Sequence, residues 1–587
     1  MEKWFLANKK ADFAAIGKKF GVSPVIAKII RNRDIVDEND IHKFLYGAMD
    51  DLYDPMLMKD MDMLAAELKK SIDSGKRIRV VQDYDVDGCM SGYILVTAIR
   101  LCGGNADYDV PDRTSEGYGI NERIVKSAVN DGIGTLITCD NGIAAGDITS
   151  LAKSMGLCVL VTDHHEVQYV NADGKQKYLI PEADAVVDPK RPDCEYPFKH
   201  LCGAGIAYKV AEVLYDIYGR SKEELNKLLQ YAAVATVCDI VDLTGENRII
   251  VKEGFKVLED TDNYGMRALL DRCLKPGEKI SVGRVGFFIG PVINAGGRMS
   301  TAQLVMSLLF AKDREEAEDI LDVLIELNEE RKRETEDAVK NITSKYDGIP
   351  NGNVIIEYNP KCHESVAGIA AGRIKDLYYK PTIVLTDSED EGYIKGSARS
   401  VEGFDIFERL LTVKDLLPRF GGHPMAAGLS MQEAAVDDFR RALNANARLT
   451  AEDFIPKVAI DVAMPFEYVT EQQITELSYL EPFGKANEKP QFAQKDVEVC
   501  SARVLGKNRN VLRLSLQSPF SSLQVDAVSF ADPAAFDAYV RQKFGDVEAE
   551  KMYLGRKNAV RLSVVYYPEI HTYRGEKNIQ IVVKNYR

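Results

Sequence analysis

The sequence predicts an α/β protein in which a parallel sheet is joined by a long helix to a second α/β unit and then to a small β-barrel. Three observations predict this arrangement. Apolar runs alternate with helical stretches between about 77 and 240, residues 312–345 are highly charged with a thin apolar stripe, and the chain after 456 contains short strands with alternating polarity. At 587 residues the chain is too long for one hydrophobic core, so several domains are expected.

The first expected element is an N-terminal helical segment at residues 1–50. Within it, "SPVIAKIIRNR" begins with a serine that can cap a helix and continues with apolar residues at helical spacing.

The parallel sheet is expected within residues 51–311. Four short apolar runs there end in acidic or polar residues: "RIRVVQDYD", "GTLITCDNG", "LCVLVTDHHE" and "ADAVVDP". Helical stretches such as "SGYILVTAIRLCG" separate these runs, which is typical of a parallel sheet covered on both faces. Ligands of such sheets bind beyond the carboxyl ends of the strands, where these acidic residues lie.

The remaining segments predict three further elements. Residues 312–345 predict a connecting helix, which the Gly and Pro of "DGIPNG" terminate. Residues 346–455 predict a second α/β unit with strands "NVIIEYN" and "PTIVLTD" and the helix "SVAGIAAGRIKDLYY". Residues 456–587 contain strands such as "VLRLSLQ" and "AVRLSVVYYP" and predict a β-barrel of the oligonucleotide-binding (OB) type.

Charge is unevenly distributed along the chain. The net charge of −15 argues against a uniformly basic surface of the kind that attracts nucleic acid. Residues 456–587 nevertheless carry 18 Lys and Arg against 16 Asp and Glu, so this part should repel phosphates less than the rest of the chain does. Acidic residues gathered as metal ligands add to the negative total while creating a cation site.

The composition also indicates a cellular compartment. The ten cysteines are scattered and form no CxxC pair, which favours reduced thiols and argues against a zinc cluster. The N-terminus lacks the apolar region of a signal peptide, and no uninterrupted apolar stretch reaches the roughly 18 residues of a membrane span. We therefore expect a cytoplasmic protein with no membrane partner.

Candidate metal ligands follow the strands and one later segment. The candidates are Asp83, Asp85, Asp87, Asp140, Asp163, His164, His165 and Asp239. A single aspartate after a strand is usually a helix cap or a turn residue, but the carboxyl ends of parallel strands converge, so the joint pattern predicts one cavity. Carboxylates with one or two imidazoles suit Mn²⁺, with Mg²⁺ as the harder alternative. Several carboxylates with few histidines indicate two ions, which together can promote phosphoryl transfer.

These motifs carry a specific resemblance. "DYDVDG", "CDNG", "TDHHE" and "CDIVDL", in this order, resemble the four motifs of the DHH phosphoesterase superfamily. Further stretches resemble its RecJ family of single-strand-specific DNA exonucleases: "PDRTSEGYG", "LCGAGIAYK", "IGPVINAGGRM", "GSARS", "FGGHPMAAGLS" and "EPFGKANEKPQF". The resemblance extends from about residue 20 to "YRGEKNIQ" near the end of the chain. It implies a DHH domain, a DHH-associated domain and a C-terminal OB fold in the three regions predicted above.

The resemblance also implies roles for individual residues. The implied metal ligands are Asp85, Asp87, Asp140, His164 and Asp239. Asp83 and His165 would complete the catalytic site, with His165 facing the scissile phosphate, and Arg298 would contact that phosphate. A pocket for the 5′ phosphate would consist of Arg113, Ser397 and Arg399. Gly421, Gly422 and His423 match the Gly-Gly-His motif that lies across the cleft and binds substrate.

The activity implied by the family is the 5′ to 3′ degradation of single-stranded DNA, one nucleotide at a time, in DNA repair and recombination. Two divalent ions are implied, with Mn²⁺ preferred and Mg²⁺ as the alternative. Single-strand-binding protein and a helicase are the implied protein partners, and a monomer is the implied state.

The sequence departs from the family pattern at four points. Gln82 replaces the usual glycine before the first aspartate, "CMSG" stands in place of a common Thr-Ser pair, Asp112 replaces an asparagine, and Gly296 replaces an alanine. No proposed ligand is lost, and Asp112 beside Arg113 is expected to weaken the 5′-phosphate pocket.

Two other function classes remain open at this point. The first is a DHH phosphodiesterase acting on short oligonucleotides, cyclic dinucleotides or pyrophosphate, although such relatives are typically shorter. The second is a non-catalytic replication scaffold, although scaffolds of that kind have lost metal ligands.

Overall fold

The computed structural model describes residues 2–113, 115–172, 175–388, 392–506, 508–573 and 576–587. Thr114, Arg574 and Gly575, which belong to motifs quoted above, lie outside the described residues. The chain forms two compact units. Leu52–Val241 and Ile249–Pro456 make the first, and Glu2–Asp51, Asp242–Arg248 and Lys457–Arg587 make the second.

The N-terminal elements are one short strand and three helices. They are β1 (Lys3–Leu6), α1 (Phe13–Phe20), α2 (Pro24–Asn32) and α3 (Glu38–Tyr46). Helix α2 begins as its sequence predicts: the hydroxyl of Ser23 accepts from the amide of Ile26 at 3.4 Å, and Pro24 occupies the first helical position.

The first unit contains a parallel sheet with strand order β3-β2-β4-β5-β8. Its strands are β2 (Arg77–Gln82), β3 (Asn105–Asp109), β4 (Ile133–Cys139), β5 (Cys158–Thr162) and β8 (Ala185–Val187). The central strands are buried on both faces, which explains their nearly continuous apolar sequences. This confirms the predicted parallel sheet.

Helices and one hairpin surround this sheet. They are α4 (Met61–Asp73), α5 (Val86–Leu101), α6 (Glu122–Asn130), α7 (Gly146–Ser154), the antiparallel pair β6 (Tyr169–Ala172) and β7 (Lys175–Tyr178), α8 (Gly203–Tyr218) and α9 (Lys222–Cys238). The hairpin was not predicted.

A helical region follows and leads to the second α/β part. Its elements are α10 (Gly245–Glu259), α11 (Tyr264–Cys273), α12 (Val282–Arg284), a π-helical turn (Val285–Ile289), α13 (Gly290–Met299), α14 (Gln303–Leu309) and α15 (Arg314–Thr343). Helix α15 is the connecting helix that the charged sequence predicts, and its first turn is capped by Asp313.

The second α/β part of the first unit has a mixed sheet with strand order β12-β13-β11-β10-β9. Its elements are β9 (Ile355–Tyr358), α16 (Glu364–Tyr378), β10 (Thr382–Asp387), β11 (Ile394–Arg399), α17 (Ile406–Leu411), β12 (Arg419–His423), β13 (Ala426–Met431) and α18 (Val436–Asn446). Strands β9 and β10 are parallel, and the other neighbours are antiparallel.

The C-terminal part is a closed barrel, as the alternating strands predict. Its elements are β14 (Lys457–Ile460), β15 (Val462–Ala463), α19 (Glu471–Leu477), β16 (Phe492–Leu505), β17 (Val511–Gln517), β18 (Gln524–Ser529), α20 (Pro533–Phe544), α21 (Asp546–Tyr553), β19 (Arg561–Tyr573) and β20 (Glu576–Tyr586). Strand β16 pairs with both β17 and β19, and this double pairing closes a ring of five strands.

The second unit has one hydrophobic core that the N-terminal helices and the barrel share. Ile26 and Ile30 of α2 pack in the same cluster as barrel residues such as Phe492 and Leu514. Buried Arg248 reinforces this core because its guanidinium donates to four carbonyl groups. These belong to Phe44 (2.7 Å), Tyr479 (2.7 Å), Leu480 (2.9 Å) and Pro482 (3.5 Å).

Among the described helices, none is both long enough and apolar enough to cross a lipid bilayer.

Candidate active site

The first three aspartates lie where strand β2 passes into helix α5. Asp83 follows the strand, Asp85 caps the helix by accepting from the amide of Gly88 at 3.1 Å, and Asp87 lies in the first helical turn. A Cβ atom at Gly88 would lie 2.4 Å from the carbonyl oxygen of Asp83, so the tight turn requires glycine there.

Asp87 is held by the N-terminus of another helix. Its two carboxylate oxygens accept from the amides of Gly203 (2.6 Å) and Ala204 (2.7 Å), at the start of α8. The free amides and the dipole of a helix N-terminus favour a carboxylate at this place. A Cβ atom at Gly203 would lie 2.7 Å from the Cβ of Asp140, so glycine lets the helix approach both aspartates.

Asp140 follows strand β4 with a backbone φ of 60°, in the left-handed region that aspartate tolerates better than most residues. The neighbouring Asn141 fixes this turn. Its side chain accepts from the amide of Ile120 at 3.1 Å and donates to the carbonyls of Val81 (3.1 Å) and Cys139 (2.9 Å).

Asp163, after strand β5, positions the two histidines that follow it. Its carboxylate accepts from the amides of Ile143 (2.9 Å), His164 (2.7 Å) and His165 (3.2 Å), and it contacts His165 Nδ1 at 2.8 Å. Although burial opposes ionisation, the bond from His165 and the nearby positive charge hold the pKa of Asp163 below its usual value. Sequence analysis placed Asp163 among the candidate metal ligands, but its carboxylate is occupied by hydrogen bonds from these three amides and by the contact with His165.

His164 lies at the centre of three carboxylates. Its Nε2 atom is 3.0 Å from Asp140 Oδ1, 3.5 Å from Asp87 Oδ2 and 3.8 Å from Asp239 Oδ2. Asp239 caps the C-terminal end of α9. Because burial disfavours its charged form, the pKa of His164 is lowered to about 4, which keeps a nitrogen lone pair free for a metal.

Three groups of side chains have potential ligand atoms within 4.8 Å of one another. The groups are Asp83, Asp85 and Asp140; Asp87, His164 and Asp239; and Asp140, His164 and His165. Asp140 belongs to two of them, as expected of a carboxylate shared by two adjacent ions. The structure therefore brings all five predicted metal ligands, together with Asp83 and His165, into one cluster.

The repulsion among the carboxylates of this cluster favours the binding of a cation. Burial, and then the neighbouring carboxylates, raise the pKa of Asp83, Asp140 and Asp239 well above the usual value, and burial likewise raises the pKa of Asp87. The Oδ1 atom of Asp83 is buried without a hydrogen-bond partner in the described structure. A hard divalent cation satisfies such oxygens, so the donor set fits Mn²⁺ or Mg²⁺.

His165 faces a tyrosine that the sequence analysis did not single out. The hydroxyl of Tyr118 donates to the carbonyl of Asp140 at 2.5 Å and lies 3.3 Å from His165 Nδ1. Although burial opposes its charged form, the bond to Asp163 raises the pKa of His165 to about 9. His165 is therefore a cation that two neighbours orient. Tyr118 lies within the quoted motif "PDRTSEGYG", which was the signal that could have found it.

Arg298 and Arg113 lie next to the acidic turn. Arg298 lies in the last turn of helix α13 and donates to the carbonyl of Ser365 at 2.9 Å. A Cβ atom at Gly297 would lie 2.3 Å from the carbonyl oxygen of Tyr84, so this helix presses against the residue between Asp83 and Asp85. The guanidinium of Arg113 lies 4.7 Å from the centre of the Tyr84 ring.

Ser397 and Arg399 occupy alternate positions of β11 and therefore share one face of the sheet. A Cβ atom at Gly368 would lie 2.8 Å from Arg399 Nη2 and 3.4 Å from Ser397 Oγ, so both side chains meet above this glycine. Burial, and then the charge of Arg113, lower the pKa of Arg399. The three residues predicted for the 5′-phosphate pocket are therefore neighbours.

Gly421, Gly422 and His423 form most of β12, the edge strand of the mixed sheet. A Cβ atom at Gly422 would lie 2.4 Å from the carbonyl oxygen of Ala426, so glycine is required by the hairpin itself. All three residues are exposed, and within the described part of the chain no hydrogen bond or ion pair joins them to the acidic cluster.

Comparison with known proteins places the chain among relatives of one kind. The DHH family N-terminal domain matches residues 77–236, the DHHA1 domain matches 351–448, and the RecJ OB domain matches 460–585. The single-stranded-DNA-specific exonuclease RecJ of Bacillus subtilis is 34% identical over 90% of this chain, which spans 66% of that protein. The Salmonella typhimurium protein of the same name is 31% identical over 71% of this chain and 74% of its own length.

A solved structure supports the same grouping. The crystal structure of RecJ in complex with Mn²⁺ from Thermus thermophilus matches with a TM-score of 0.80 and 26% identity, covering all of this chain and 79% of that one.

Replacing Asp140 by asparagine tests the shared-ligand arrangement. Asp140→Asn keeps the shape but removes the charge that two ions would share, so we expect Mn²⁺ affinity to fall by more than tenfold. Isothermal titration of the purified protein with Mn²⁺ measures this change. The exposed Asp147→Asn on α7 removes the same charge and should titrate like the wild type. Equal Mn²⁺ affinity in Asp140→Asn and the wild type would show that Asp140 holds no ion.

Proposed function

Because the chain belongs to the RecJ family of single-stranded-DNA-specific exonucleases, we propose that it hydrolyses single-stranded DNA from the 5′ end and releases mononucleotides. The observation that carries this proposal is the juxtaposition, within one compact unit, of a buried carboxylate cluster with unneutralised arginines. Such an arrangement suits a phosphodiester, whose negative oxygens need both metal and guanidinium ligands.

Two divalent ions would be held by Asp85, Asp87, Asp140, His164 and Asp239, with Mn²⁺ preferred and Mg²⁺ as the alternative. When bound, they supply activation of water and stabilisation of the leaving oxygen. Asp83 would complete the set of metal-binding carboxylates at the end of strand β2. His165, held by Asp163, donates a hydrogen bond to an oxygen of the scissile phosphate.

The arginines orient the strand. Arg298 contacts the scissile phosphate, and its bond to the carbonyl of Ser365 fixes one side of its guanidinium. Arg113, Ser397 and Arg399 receive the 5′-terminal phosphate, which sets the direction of degradation. Gly421, Gly422 and His423 present exposed backbone and a side chain for contacts further along the strand.

The OB barrel is assigned to holding single-stranded DNA beyond the cleft. Action in DNA repair and recombination in the cytoplasm, as a monomer that works with single-strand-binding protein and a helicase, belongs to the same proposal. The alternatives are a phosphodiesterase of short oligonucleotides and a scaffold without catalysis. The filled ligand positions disfavour the scaffold, and the barrel favours a polymeric substrate.

The direct test is an end-labelling experiment in Mn²⁺. We expect a 5′-labelled single strand to release labelled mononucleotide at once, and a 3′-labelled strand to shorten progressively, while duplex DNA resists. Asp140→Asn should lose more than a thousandfold in rate, because a lost metal-held carboxylate costs several kcal/mol of barrier. Release of labelled mononucleotide first from the 3′ end, or turnover of a dinucleotide but not of longer strands, would refute the proposal.

Arg399→Gln tests the 5′-phosphate pocket. Each charge-assisted hydrogen bond of a desolvated guanidinium contributes roughly 1.5–3 kcal/mol, so the preference for 5′-phosphorylated over 5′-hydroxyl strands should fall at least about tenfold. Competition between the two strands measures this preference. Arg441→Gln, at an exposed position of α18, removes an equal charge and should leave the preference unchanged. An unchanged preference in Arg399→Gln would place the pocket elsewhere, and a wild type without any preference would indicate that Asp112 neutralises it.

A further inference from the structure

A cleft in the first unit lies apart from the carboxylate cluster and has no role in the proposed hydrolysis. Its volume is about 440 Å³, and residues of α5, α9, the start of α11 and the end of α14 line it. This volume falls within the range of roughly 300–1,000 Å³ that is usual for sites that bind small molecules.

The position of the cleft separates it from the metal ligands. Thr97 of α5 lines the cleft and lies ten residues beyond Asp87, which is about 15 Å along the helix axis. Gln230 of α9 also lines the cleft and lies nine residues before Asp239, about 13 Å along that helix. A molecule bound here would therefore occupy a site of its own and would not extend the metal site.

Aromatic rings form one wall of the cleft. The ring of Tyr93 lies 4.4 Å from that of Tyr231 and 4.7 Å from that of Phe310, measured between ring centroids. Asn263 holds this wall in place, because its side-chain amide donates to the Tyr93 hydroxyl at 3.2 Å and to the carbonyl of Leu309 at 2.8 Å. A wall that is ordered in advance lowers the entropic cost of binding a ligand.

Tyr264 supplies an accessible ring in the same cleft. It is the first residue of α11, and 46% of its surface is exposed. A nucleobase can stack on such a tyrosine whatever its pattern of donors and acceptors, because every base has a π-face. The aromatic wall and this ring together favour a flat heteroaromatic ligand.

Two oxygen atoms of lining residues lack a hydrogen-bond partner within the described structure. Gln230 is only 1% exposed, and its Nε2 atom donates to the carbonyl of Lys227 at 2.9 Å, whereas its Oε1 atom is buried and accepts no hydrogen bond. The Oγ1 atom of Thr97 is likewise buried without a partner. A buried acceptor is unfavourable unless a donor meets it, and the ring or amino N–H of a nucleobase is such a donor.

The charges around the cleft disfavour a phosphate group. Among the described lining residues, Lys227 is the single cation, and its ammonium is paired with Asp262 at 2.5 Å. Glu224 adds a second carboxylate to the lining, so the acidic groups outnumber the basic one. Such a lining repels a phosphate monoester, whereas its carboxylate oxygens can accept from the hydroxyls of a sugar.

We propose that this cleft binds a nucleoside. The base stacks on Tyr264, one of its N–H groups donates to Gln230 Oε1, and a sugar hydroxyl donates to Asp262. A nucleoside lacks the phosphate that the metal site and the arginines would recognise, so the two sites select different ligands. The inference goes beyond the proposed hydrolysis and does not depend on it.

Calorimetric titration of the full chain with adenosine, guanosine, cytidine and thymidine tests the proposal, with phenol as a control for unspecific aromatic binding. We expect at least one nucleoside to bind at a single site and more tightly than phenol. Its 5′-monophosphate should displace it less well than the unlabelled nucleoside does, because the lining is acidic. No binding of any of the four at about 1 mM, or stronger displacement by the monophosphate, would overturn the inference.

Variants assign the binding to this cleft. Tyr264→Ala removes the stacking ring and should weaken affinity about tenfold, whereas Tyr264→Phe keeps the ring and should bind like the wild type. Gln230→Met keeps the length of the side chain but removes its acceptor, and should also weaken affinity about tenfold. Tyr468→Ala removes a tyrosine that is 68% exposed in the second unit and should bind like the wild type.

Thermal unfolding shows whether each variant is folded. If buried Gln230 does not tolerate replacement, the exposed Tyr264 and its two controls decide alone. Equal affinity of Tyr264→Ala and the wild type for the nucleoside would place the ligand elsewhere and overturn the inference.

Discussion

Three buried carboxylates and a partly buried fourth repel one another in one cluster, and the arrangement of the first unit depends on compensating that repulsion. Asp83, Asp87, Asp140 and Asp239 all have raised pKa values because burial and mutual repulsion disfavour their charged forms. The protein offers only partial compensation, through the amides at the start of α8 and the cationic His165. Bound cations would supply the rest, so we expect the metal to contribute to the stability of this cluster.

The opposite charge is arranged on the facing elements of the same unit. Among the described residues, the four arginines Arg113, Arg298 of α13, Arg331 of α15 and Arg399 of β11 are anchored by carbonyl, amide or aromatic groups and not by carboxylates. Anchors of this kind orient a guanidinium without cancelling its charge. An acidic protein can therefore present a positive path for phosphates beside a negative pocket for metal, and a net charge of −15 says little about its substrate.

Sequence reasoning found the parts of the site that follow from local pattern. Apolar strands ending in aspartate predicted both the sheet and the convergence of Asp83, Asp140 and His164, because parallel strands share one carboxyl edge. It did not find the positioning roles of Asp163 and Tyr118, which depend on contacts across loops. Sequence reasoning also treated residues 1–50 as a separate segment, whereas their helices share the hydrophobic core of the barrel. Residues more than 400 positions apart form this core, so no local sequence pattern indicates the contact.

The claim that two cations hold the carboxylate cluster together is tested most directly by counting them. The measurement is the number of Mn²⁺ ions bound per chain at equilibrium, with electron paramagnetic resonance to detect coupling between them. The account predicts two ions per chain whose spins are coupled, because Asp140 belongs to two of the three groups of potential ligands. A single uncoupled ion, or none at saturating Mn²⁺, would contradict it.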